Sequence, residues 1–372
     1  MTKKIITIIL SLLIILNLVS FILMPKARFS ETENRNLATF PIFTMNNLIS
    51  GEYIKDLENY LSDHFPLRDV FVSLKTKTDL AMGKTYINKV YIAEDGYLIE
   101  DYQKPVKTET LIKVLNNFSE NNPDVKAWLM LVPTSIEINH ERLPKYASPL
   151  SQLDTLDMIY QNVNLKTINV YDTLIAHNQN EAMFYHLDHH WTTDAAYYAY
   201  LEFCKASGSE AKSIDEFERI VVSDNFRGTI DSKVQNPDLK ADQIIRYLPK
   251  PESNLYVEYT YAQDMVVRDN LYDDRHLSTK NQYGSFMYDN NALIKIVNKD
   301  LDNDDKILVI KDSFANCFVP FLSEHYAEVH VIDPRFYRTS VSEYLEVNEI
   351  DEVLFLYNMN SIDRDSGIYI VK

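Results

Sequence analysis

The chain has 372 residues, of which 46% are apolar, and its formal net charge at pH 7 is −17. This length allows one large domain or two of ordinary size, and the apolar content is sufficient for a packed core, which excludes general disorder. The negative charge excludes nucleic acid as the main partner, because phosphate binding needs clustered Lys and Arg. It also argues against broad electrostatic adhesion to an anionic membrane surface.

The N-terminal segment from Ile5 to Met24 is almost wholly aliphatic and follows Lys3 and Lys4. Its length is that of the roughly 20 residues that a helix needs to cross the hydrocarbon core of a bilayer. No small-residue cleavage site follows, so we interpret it as an uncleaved signal-anchor. We predict that residues 1–28 form a cytoplasmic tail and one membrane-spanning helix. Because a short tail is more easily left inside, the rest of the chain is expected on the extracytoplasmic side of the cell membrane.

Two further regions follow the predicted anchor. Residues 29–105 are predicted to form a tether and an extension with helices and a hairpin. Residues 106–372 alternate helical patterns with continuous apolar runs, which are typical of strands covered on both faces. This alternation predicts a three-layer α/β/α domain with a parallel sheet. Residues from about 206 to 291 break the rhythm, and we interpret them as an insertion.

The two cysteines, Cys204 and Cys317, are far apart in the sequence. Each lies in an apolar, helix-like run, so buried free thiols are their expected state. A disulfide between them stays open, because the sequence alone does not place one.

A serine lies at the corner between a strand and a helical pattern. Residues 307–310 form an apolar strand, and Asp312 and Ser313 follow it. In open α/β sheets ligands bind beyond the carboxyl ends of the strands. A serine there can act as a nucleophile, since helix N–H groups point toward an oxyanion formed beside it. The alternative is that Ser313 only caps the helix.

The sequence Asp188-His-His-Trp191 forms a second polar cluster. Asp188 and His190 are two residues apart, so in an extended segment their side chains leave the same face. A carboxylate beside an imidazole can fix its tautomer, as the orienter and base of a hydrolytic triad do. His189 is then expected to point away from His190. Two alternatives stay open: a metal site built from His186 and His190 at i and i+4 of a helix, or polar residues that only satisfy a loop.

These residues also carry a resemblance to a known family. Asp188-His-His-Trp191 resembles the signature tetrapeptide of the DHHW protein family, which is similar to the alginate O-acetylation proteins of the AlgJ/AlgX type and to SGNH hydrolases. Further segments match the family pattern along nearly the whole chain after the anchor: Phe29-Ser-Glu, Glu33-Asn-Arg35, Asp63-His-Phe-Pro-Leu-Arg68, Gly96-Tyr-Leu98, Val132-Pro-Thr134 and Lys311-Asp-Ser313.

The resemblance implies an SGNH-hydrolase-like fold and an acyl-serine intermediate. No metal or other cofactor is expected, because the chain offers no further dense set of acidic or cysteine ligands. By this resemblance Ser313 would be the nucleophile, His190 the general base and Asp188 its orienter. Gly284 and Asn316 are candidates for the rest of the oxyanion hole.

Two further residues and one departure complete the predicted site. Arg335 and Tyr337 follow a strand end and are candidates for binding a hydroxyl-rich or acidic substrate. A surface ion pair between Arg335 and Asp333 is equally compatible with the sequence. The departure is Lys311, which stands where a Gly-Asp-Ser block would have its glycine.

The leading hypothesis is a membrane-anchored, extracytoplasmic O-acyltransferase that moves an acetyl group onto a cell-surface polysaccharide. The resemblance implies a polytopic membrane acyltransferase of the MBOAT type as the acetyl donor. A carbohydrate esterase would share the acyl-enzyme and differ only in using water as the acceptor. Two other classes stay open: a non-catalytic scaffold or glycan-binding subunit of a polysaccharide modification or export complex, and a metal-dependent hydrolase that uses the histidine cluster.

Overall fold

The computed structural model describes residues 2–261, 264–364 and 367–371. The chain divides into two compact units, Met1–Lys84 with Asp231–Leu239, and Thr85–Ile230 with Lys240–Lys372. The predicted boundary after residue 105 therefore differs from the compact units, because the hairpin that follows Thr85 groups with the second unit.

The first unit is mainly helical. Its elements up to residue 84 are α1 (Thr2–Leu23), β1 (Phe29–Ser30), β2 (Arg35–Asn36), α2 (Met45–Ser50), α3 (Glu52–Asp63) and α4 (Arg68–Ala81). Within α1, Lys4–Leu23 is long and apolar enough to cross a membrane, with a mean hydropathy of 2.9. An anchor and a signal sequence both have this composition.

The corner between α3 and α4 is held by ion pairs. Arg35 contacts both carboxylate oxygens of Asp63, at 2.9 and 2.5 Å. Arg68 Nη1 lies 2.5 Å from Glu33 Oε1. Because residues 33 and 35 belong to the hairpin that follows α1, these contacts tie the corner to the chain just beyond that helix.

The rest of the chain alternates strands and helices. Its elements are β3 (Tyr86–Ile87), β4 (Val90–Ile92), β5 (Leu98–Glu100), α5 (Thr108–Asn121), β6 (Lys126–Val132), α6 (Ser135–Ile138), α7 (Leu153–Asn162), β7 (Lys166–Thr167), α8 (Tyr171–His177), α9 (Thr193–Ser207), β8 (Phe217–Phe226), α10 (Thr229–Val234), β9 (Asp242–Pro249), β10 (Leu255–Tyr261), β11 (Asp264–Arg268), β12 (Leu293–Asn298), β13 (Lys306–Lys311), α11 (Val319–Leu322), β14 (Glu328–Ile332), α12 (Val341–Asn348) and β15 (Glu352–Asn358).

The largest sheet of the described residues has the strand order β11-β10-β12-β14-β13-β15-β6-β7. The strands from β14 to β7 pair in parallel, as predicted. The strands β12, β10 and β11 extend this sheet by antiparallel pairing. The segment interpreted as an insertion, 206–291, is therefore not wholly separate. Its strands β10 and β11 join the main sheet, while β8 and β9 form a separate antiparallel pair.

Both faces of the sheet are covered, which explains the continuous apolar runs. Along β6, Trp128 and Met130 belong to one buried cluster, together with residues of α9 and α11. Leu129 and Leu131 belong to another, together with residues of α5, α7 and α12. Because successive side chains of a strand leave opposite faces, most positions of such a strand are apolar.

The helical pattern predicted after Ser313 is a 3-10 helix, Ser313–Cys317, followed by the four-residue helix α11. Both pieces are short, so the dipole that they direct at Ser313 is small. Cys317 and Cys204 are both buried free thiols, as predicted.

Candidate active site

The structure brings Asp188, His190 and Ser313 together in one chain of hydrogen bonds. Ser313 Oγ lies 2.7 Å from His190 Nε2, although the two residues are 123 positions apart. His190 Nδ1 lies 2.5 Å from Asp188 Oδ1. An ionised carboxylate only accepts hydrogen bonds, so Nδ1 donates to Asp188 and the lone pair of Nε2 faces the serine hydroxyl.

The carboxylate of Asp188 is held from several sides. Its Oδ1 also accepts from the His190 amide at 3.0 Å. Its Oδ2 accepts from the amide of Thr229 at 2.7 Å and from the hydroxyl of that residue at 3.0 Å. Burial raises the pKa of Asp188, but interactions with His189 and His190 outweigh burial and hold this pKa well below its usual value. The orienting carboxylate is therefore ionised and fixed.

His190 is buried and neutral at pH 7. Burial, followed by repulsion from His189, lowers the pKa of His190 below its usual 6.5, although Asp188 acts in the opposite direction. A neutral imidazole with a free lone pair on Nε2 is able to accept the proton of a serine hydroxyl.

Tyr283 fixes the plane of the His190 ring. The two rings stack with their centroids 3.7 Å apart and at 10° to each other. The Tyr283 hydroxyl donates to the backbone oxygen of Ser313 at 3.1 Å. Our sequence reasoning missed this residue. A usable signal was its place beside Gly284, in a segment already chosen for the glycine.

Trp191 ties the histidine segment to the serine corner. Its indole Nε1–H donates to the backbone oxygen of Phe314 at 2.8 Å, and its ring stacks on that of Phe318 at 6.4 Å. The motif therefore supplies a hydrogen bond to the residue after the serine as well as the hydrogen-bonded pair of Asp188 and His190.

The helix cap at the corner is Asp312, and Ser313 is not the cap. Asp312 Oδ1 accepts from the amide of Phe314 at 2.8 Å. Its Oδ2 accepts from the amide of Asn358 at 2.8 Å and from the Ser361 hydroxyl at 2.6 Å. Asp312 thus links the ends of β13 and β15, and the Ser313 hydroxyl is available to His190.

Gly228 allows the close approach of Thr229 to Asp188. A Cβ at residue 228 would lie 2.1 Å from Asp188 Oδ2. No side chain fits at that distance, so the absence of a Cβ at Gly228 is what permits the hydrogen bonds from Thr229. The sequence pattern did not identify either residue.

Gly284 and Asn316, the two candidates for the oxyanion hole, both have polar groups that are already hydrogen-bonded within the protein. The Gly284 amide already donates to the oxygen of Asn281 at 3.1 Å. The Asn316 side chain is buried, and its Oδ1 accepts from Lys311 Nζ at 2.7 Å. Asn316 Nδ2 has no partner among the described residues. The sequence placed both residues near the serine corner, but it did not show how their polar groups are used.

Lys311, which replaces the glycine of a Gly-Asp-Ser block, belongs to a buried polar network. Its Nζ lies 3.3 Å from Asp333 Oδ2 and 3.2 Å from Asn290 Oδ1. Burial lowers the pKa of Lys311, and Asp333 opposes this shift. Burial raises the pKa of Asp333, but Lys311 and Arg335 reverse the shift and lower it. A lysine can therefore be buried two residues before Ser313, because Asp333 neutralises its charge.

Arg335 and Ser313 line the same cleft. Among the described residues that line this cleft, Tyr337 is not included. Arg335 Nε donates to Asp333 Oδ1 at 2.8 Å, and Nη2 donates to Asn290 Oδ1 at 3.0 Å. The pair with Asp333 is not a surface pair, because Asp333 is fully buried. Tyr337 packs against the buried cluster that contains Leu129 and Leu131, and its ring centroid lies 6.0 Å from that of Tyr344.

His189 does not point away from His190, contrary to the prediction. The two rings are 3.9 Å apart, and His189 Nδ1 lies 2.6 Å from Thr229 Oγ1. The i, i+4 metal site is not formed. The segment from 186 to 190 is not helical, and His186 instead pairs with Asp242 at 2.7 Å. Asp188, His189 and His190 do offer ligand atoms within 4.8 Å of one another, but both nitrogens of His190 are already hydrogen-bonded.

A small cleft of about 190 Å³ opens at Ser313. It is lined by Glu100, Thr134, His189, Asp312, Ser313, Arg335, Asn358, Asn360, Ser361 and Arg364. Several of these residues follow or end the strands β13, β14, β15 and β6, so the cleft lies at the carboxyl edge of the parallel part of the sheet, as expected for a ligand site. The lining is polar and is suited to a hydroxyl-rich ligand.

Comparison with known proteins agrees with this fold. A family model described as DHHW protein matches residues 73–332. The sequence has no significant match among curated proteins. A DHHW family protein from Eubacterium siraeum is 23% identical with a TM-score of 0.67, over 76% of this chain and 95% of that one. Bacillus cereus PatB1 with a sulfonyl adduct is 20% identical with a TM-score of 0.64, over 76% and 99%.

A more distant similarity links the chain to the O-acetyltransferase domain of Pseudomonas putida AlgJ. The sequences are 12% identical and the TM-score is 0.48, over 74% of this chain and 92% of that domain. The similarities to the Eubacterium siraeum protein and to PatB1 show a shared fold.

Proposed function

Since this chain belongs to the DHHW protein family, we propose that it is an O-acyltransferase that moves an acetyl group through Ser313 onto a hydroxyl of a cell-surface polysaccharide. The observation that carries the proposal is the pair of short contacts of His190, 2.7 Å to Ser313 Oγ and 2.5 Å to Asp188 Oδ1. A base placed between a nucleophile and an orienting carboxylate is the arrangement of acyl-transfer catalysts.

In the first half-reaction His190 Nε2 takes the proton of Ser313 as Oγ attacks the carbonyl carbon of the acetyl donor. Negative charge develops on the carbonyl oxygen, and we assign its stabilisation to the Ser313 amide and the guanidinium of Arg335. Arg335 shares the cleft with the serine and acts electrostatically on His190. The tetrahedral intermediate collapses, His190 protonates the leaving group, and acetyl-Ser313 remains.

In the second half-reaction a sugar hydroxyl takes the place of the leaving group. His190 removes its proton, the oxygen attacks the acetyl carbon, and the collapse of the second tetrahedral intermediate returns the proton to Ser313 Oγ. The polar lining of the cleft, which includes Asn360 and Thr134, offers partners for further hydroxyls of the acceptor.

The proposal includes three features taken from the sequence. The domain would be a three-layer α/β/α domain of the SGNH type. The α1 helix would anchor it to the cell membrane with the catalytic unit outside. The acetyl group would come from an MBOAT-type membrane acyltransferase, as the family resemblance implies.

The test is to trap the acyl-serine. The chain is incubated with p-nitrophenyl acetate, quenched in acid and digested, and the peptide that contains Ser313 is analysed by mass spectrometry. We expect one acetyl group on Ser313 in the wild type and none in Ser313→Ala. Since the PatB1 structure carries a sulfonyl adduct, we also expect an aryl sulfonyl fluoride to block the trapping. An unlabelled Ser313 under both reagents would contradict the proposal.

Transferase and esterase are separated by the fate of the acetyl group. Cello- and chito-oligosaccharides are added to the acetylated enzyme, and the products are separated by chromatography. We expect acetylated sugar to exceed free acetate, because a sugar that fills the cleft excludes water from the acyl-serine. Release of acetate alone would indicate a carbohydrate esterase.

The acid limb of the pH profile should report the protonation of His190. Because burial and His189 lower the pKa of His190, its base form persists below pH 6.5, and kcat/KM should fall only in more acidic solution. In His189→Gln the repulsion is removed, so the His190 pKa rises and the limb should move to higher pH. Initial rates with p-nitrophenyl acetate measure the shift. An unmoved limb would show that His189 does not act on His190.

Gly228→Ala is expected to reduce kcat by about 10²-fold, the cost of a misplacement of roughly 1 Å in a catalytic array. The new Cβ would collide with Asp188 Oδ2, so the carboxylate must move away from His190. The KM for the acetyl donor should change little, since residue 228 is absent from the described residues that line the cleft. Thermal unfolding serves as the control. A kcat unchanged in a folded variant would refute the role of this close approach.

A further inference from the structure

The outer side of α4 carries a continuous apolar stripe. Leu67, Val70, Phe71 and Leu74 are 66%, 60%, 51% and 58% exposed. The spacing of Val70, Phe71 and Leu74 places these three side chains on one side of the helix, and Leu67 directly precedes the first helical residue. We call these four residues the α4 stripe. Side chains of this kind on one helical face normally pack against a core, and a contiguous exposed group of them indicates an interaction surface.

The opposite side of α4 is polar and faces protein. Thr76 Oγ1 donates to the oxygen of Val234 at 2.7 Å, and Ser73 Oγ donates to the oxygen of Gln235 at 3.3 Å. The hydroxyls of Ser73 and Thr76 thus point toward protein, while the α4 stripe points outward. A surface helix in water normally buries its largest apolar side chains, whereas α4 exposes the α4 stripe. The outer face is therefore suited to an apolar medium.

The start of α4 is held beside the end of α1. The ring of Tyr60, in α3, contacts that of Phe21 edge-on at 6.2 Å, and His64 Nε2 lies 3.1 Å from the oxygen of Ala27. Thr32 Oγ1 donates to Asp69 Oδ2 at 3.1 Å, within the first turn of α4. The α4 stripe begins just before α4 and ends at Leu74, so it spans only about 10 Å of helix axis from this junction.

We infer that the α4 stripe lies in the interfacial layer of the bilayer, with lipid acyl chains as its occupant. The inference rests on the proposed membrane anchor, because the bilayer that α1 crosses ends where α4 begins. The exposed fractions of the stripe match those of α1 residues such as Leu13 and Ile14, at 51% and 61%. Attraction to anionic lipid is not required, in keeping with the net charge of −17, so phosphatidylcholine suffices.

Fluorescent labels test the inference in the full-length chain reconstituted into phosphatidylcholine vesicles. Leu74→Cys places an NBD label on the α4 stripe, and Asp69→Cys places one about 140° around the helix. The two sites are matched in exposure, at 58% for Leu74 and 57% for the Asp69 side chain. The native cysteines are buried, and a chain without a new cysteine gives the background labelling.

The Leu74→Cys label should emit at shorter wavelength than the Asp69→Cys label and should be quenched at least about twofold more by lipids with a nitroxide high on the acyl chain. Equal quenching of the two labels would overturn the inference. A blue-shifted Leu74→Cys label that nitroxide lipids do not reach would also overturn it, and would identify a second copy of the chain as the occupant, since the vesicles contain no other protein.

Separate readouts keep this inference distinct from the proposed function. An NBD label at Leu13→Cys, in the middle of α1, tests whether the anchor crosses the bilayer. The measurement is its quenching by lipids that carry a nitroxide deep in the acyl chain. Reaction of Ser313 with an aryl sulfonyl fluoride reports the catalytic site. If the Leu13→Cys label is quenched while the labels at Asp69→Cys and Leu74→Cys are quenched equally, the anchor is supported. The inference that the α4 stripe lies in the bilayer is then rejected.

Discussion

Ser313→Ala is expected to reduce acetyl transfer by at least about 10⁴-fold, as is the loss of a nucleophile or base in other catalytic triads. The physical reason is that no acyl-enzyme can form without Oγ, and Oγ is a weak nucleophile unless His190 takes its proton at 2.7 Å. His190→Ala should therefore lose about as much. The measurement is single-turnover acetylation with p-nitrophenyl acetate, followed by transfer to an oligosaccharide.

The double variant Ser313→Ala/His190→Ala should be no slower than either single variant, because the two residues act as one unit. Ser285→Ala is the matched control. Its hydroxyl is also buried but has no partner among the described residues, so its removal should leave transfer unchanged. Losses that multiply in the double variant, or transfer retained by Ser313→Ala, would favour a non-catalytic scaffold over an enzyme.

Asp333→Ala is expected to destabilise the chain by about 3–5 kcal/mol, the usual cost of removing one partner of a buried ion pair. Asp333 and Lys311 are both nearly inaccessible to solvent, so the substitution leaves an ammonium group buried without its counter-charge. It also releases Arg335, which Asp333 holds at 2.8 Å. Urea unfolding of the full chain in detergent measures the change in the free energy of unfolding.

A second substitution separates the buried charge from simple loss of volume. In Asp333→Ala/Lys311→Met no ammonium group remains to be buried, so a large part of the lost stability should return. Acetyl transfer should not return with it, because Arg335 still lacks the carboxylate that fixes its guanidinium at the cleft. Equal stability of the single and double variants would show that the cost comes from the cavity and not from the charge.

The sequence predicted the features that depend on local patterns. The apolar run of α1 identified a helix long enough to cross a membrane. The mainly apolar runs of β6, β13, β14 and β15 identified the parallel strands, because a strand covered on both faces buries most of its positions. Asp188 and His190 were paired from their spacing of two, and Ser313 was chosen from its place after a strand.

Features that depend on distant parts of the chain could not be read in this way. Gly228 and Tyr283 follow the histidine motif by tens of residues, and no local period links them to it. Gly228 nevertheless lets Thr229 approach Asp188 closely, and Tyr283 stacks on His190. The strands β10 and β11 looked like an insertion because their polar and aromatic content suits a sheet edge, where one side of the strand is not covered.

By itself the sequence determined where this protein has a helix suited to a membrane and where its sheet is buried. It also identified Ser313, His190 and Asp188 as candidates for acyl transfer. Only the tertiary structure decided that Asp312 caps the helix and leaves the Ser313 hydroxyl to His190. It also decided that Arg335 faces the cleft while the partly buried Tyr337 packs against a hydrophobic cluster. The physical reason is that hydrogen bonds and packing act through space, between residues whose separation along the chain carries no period.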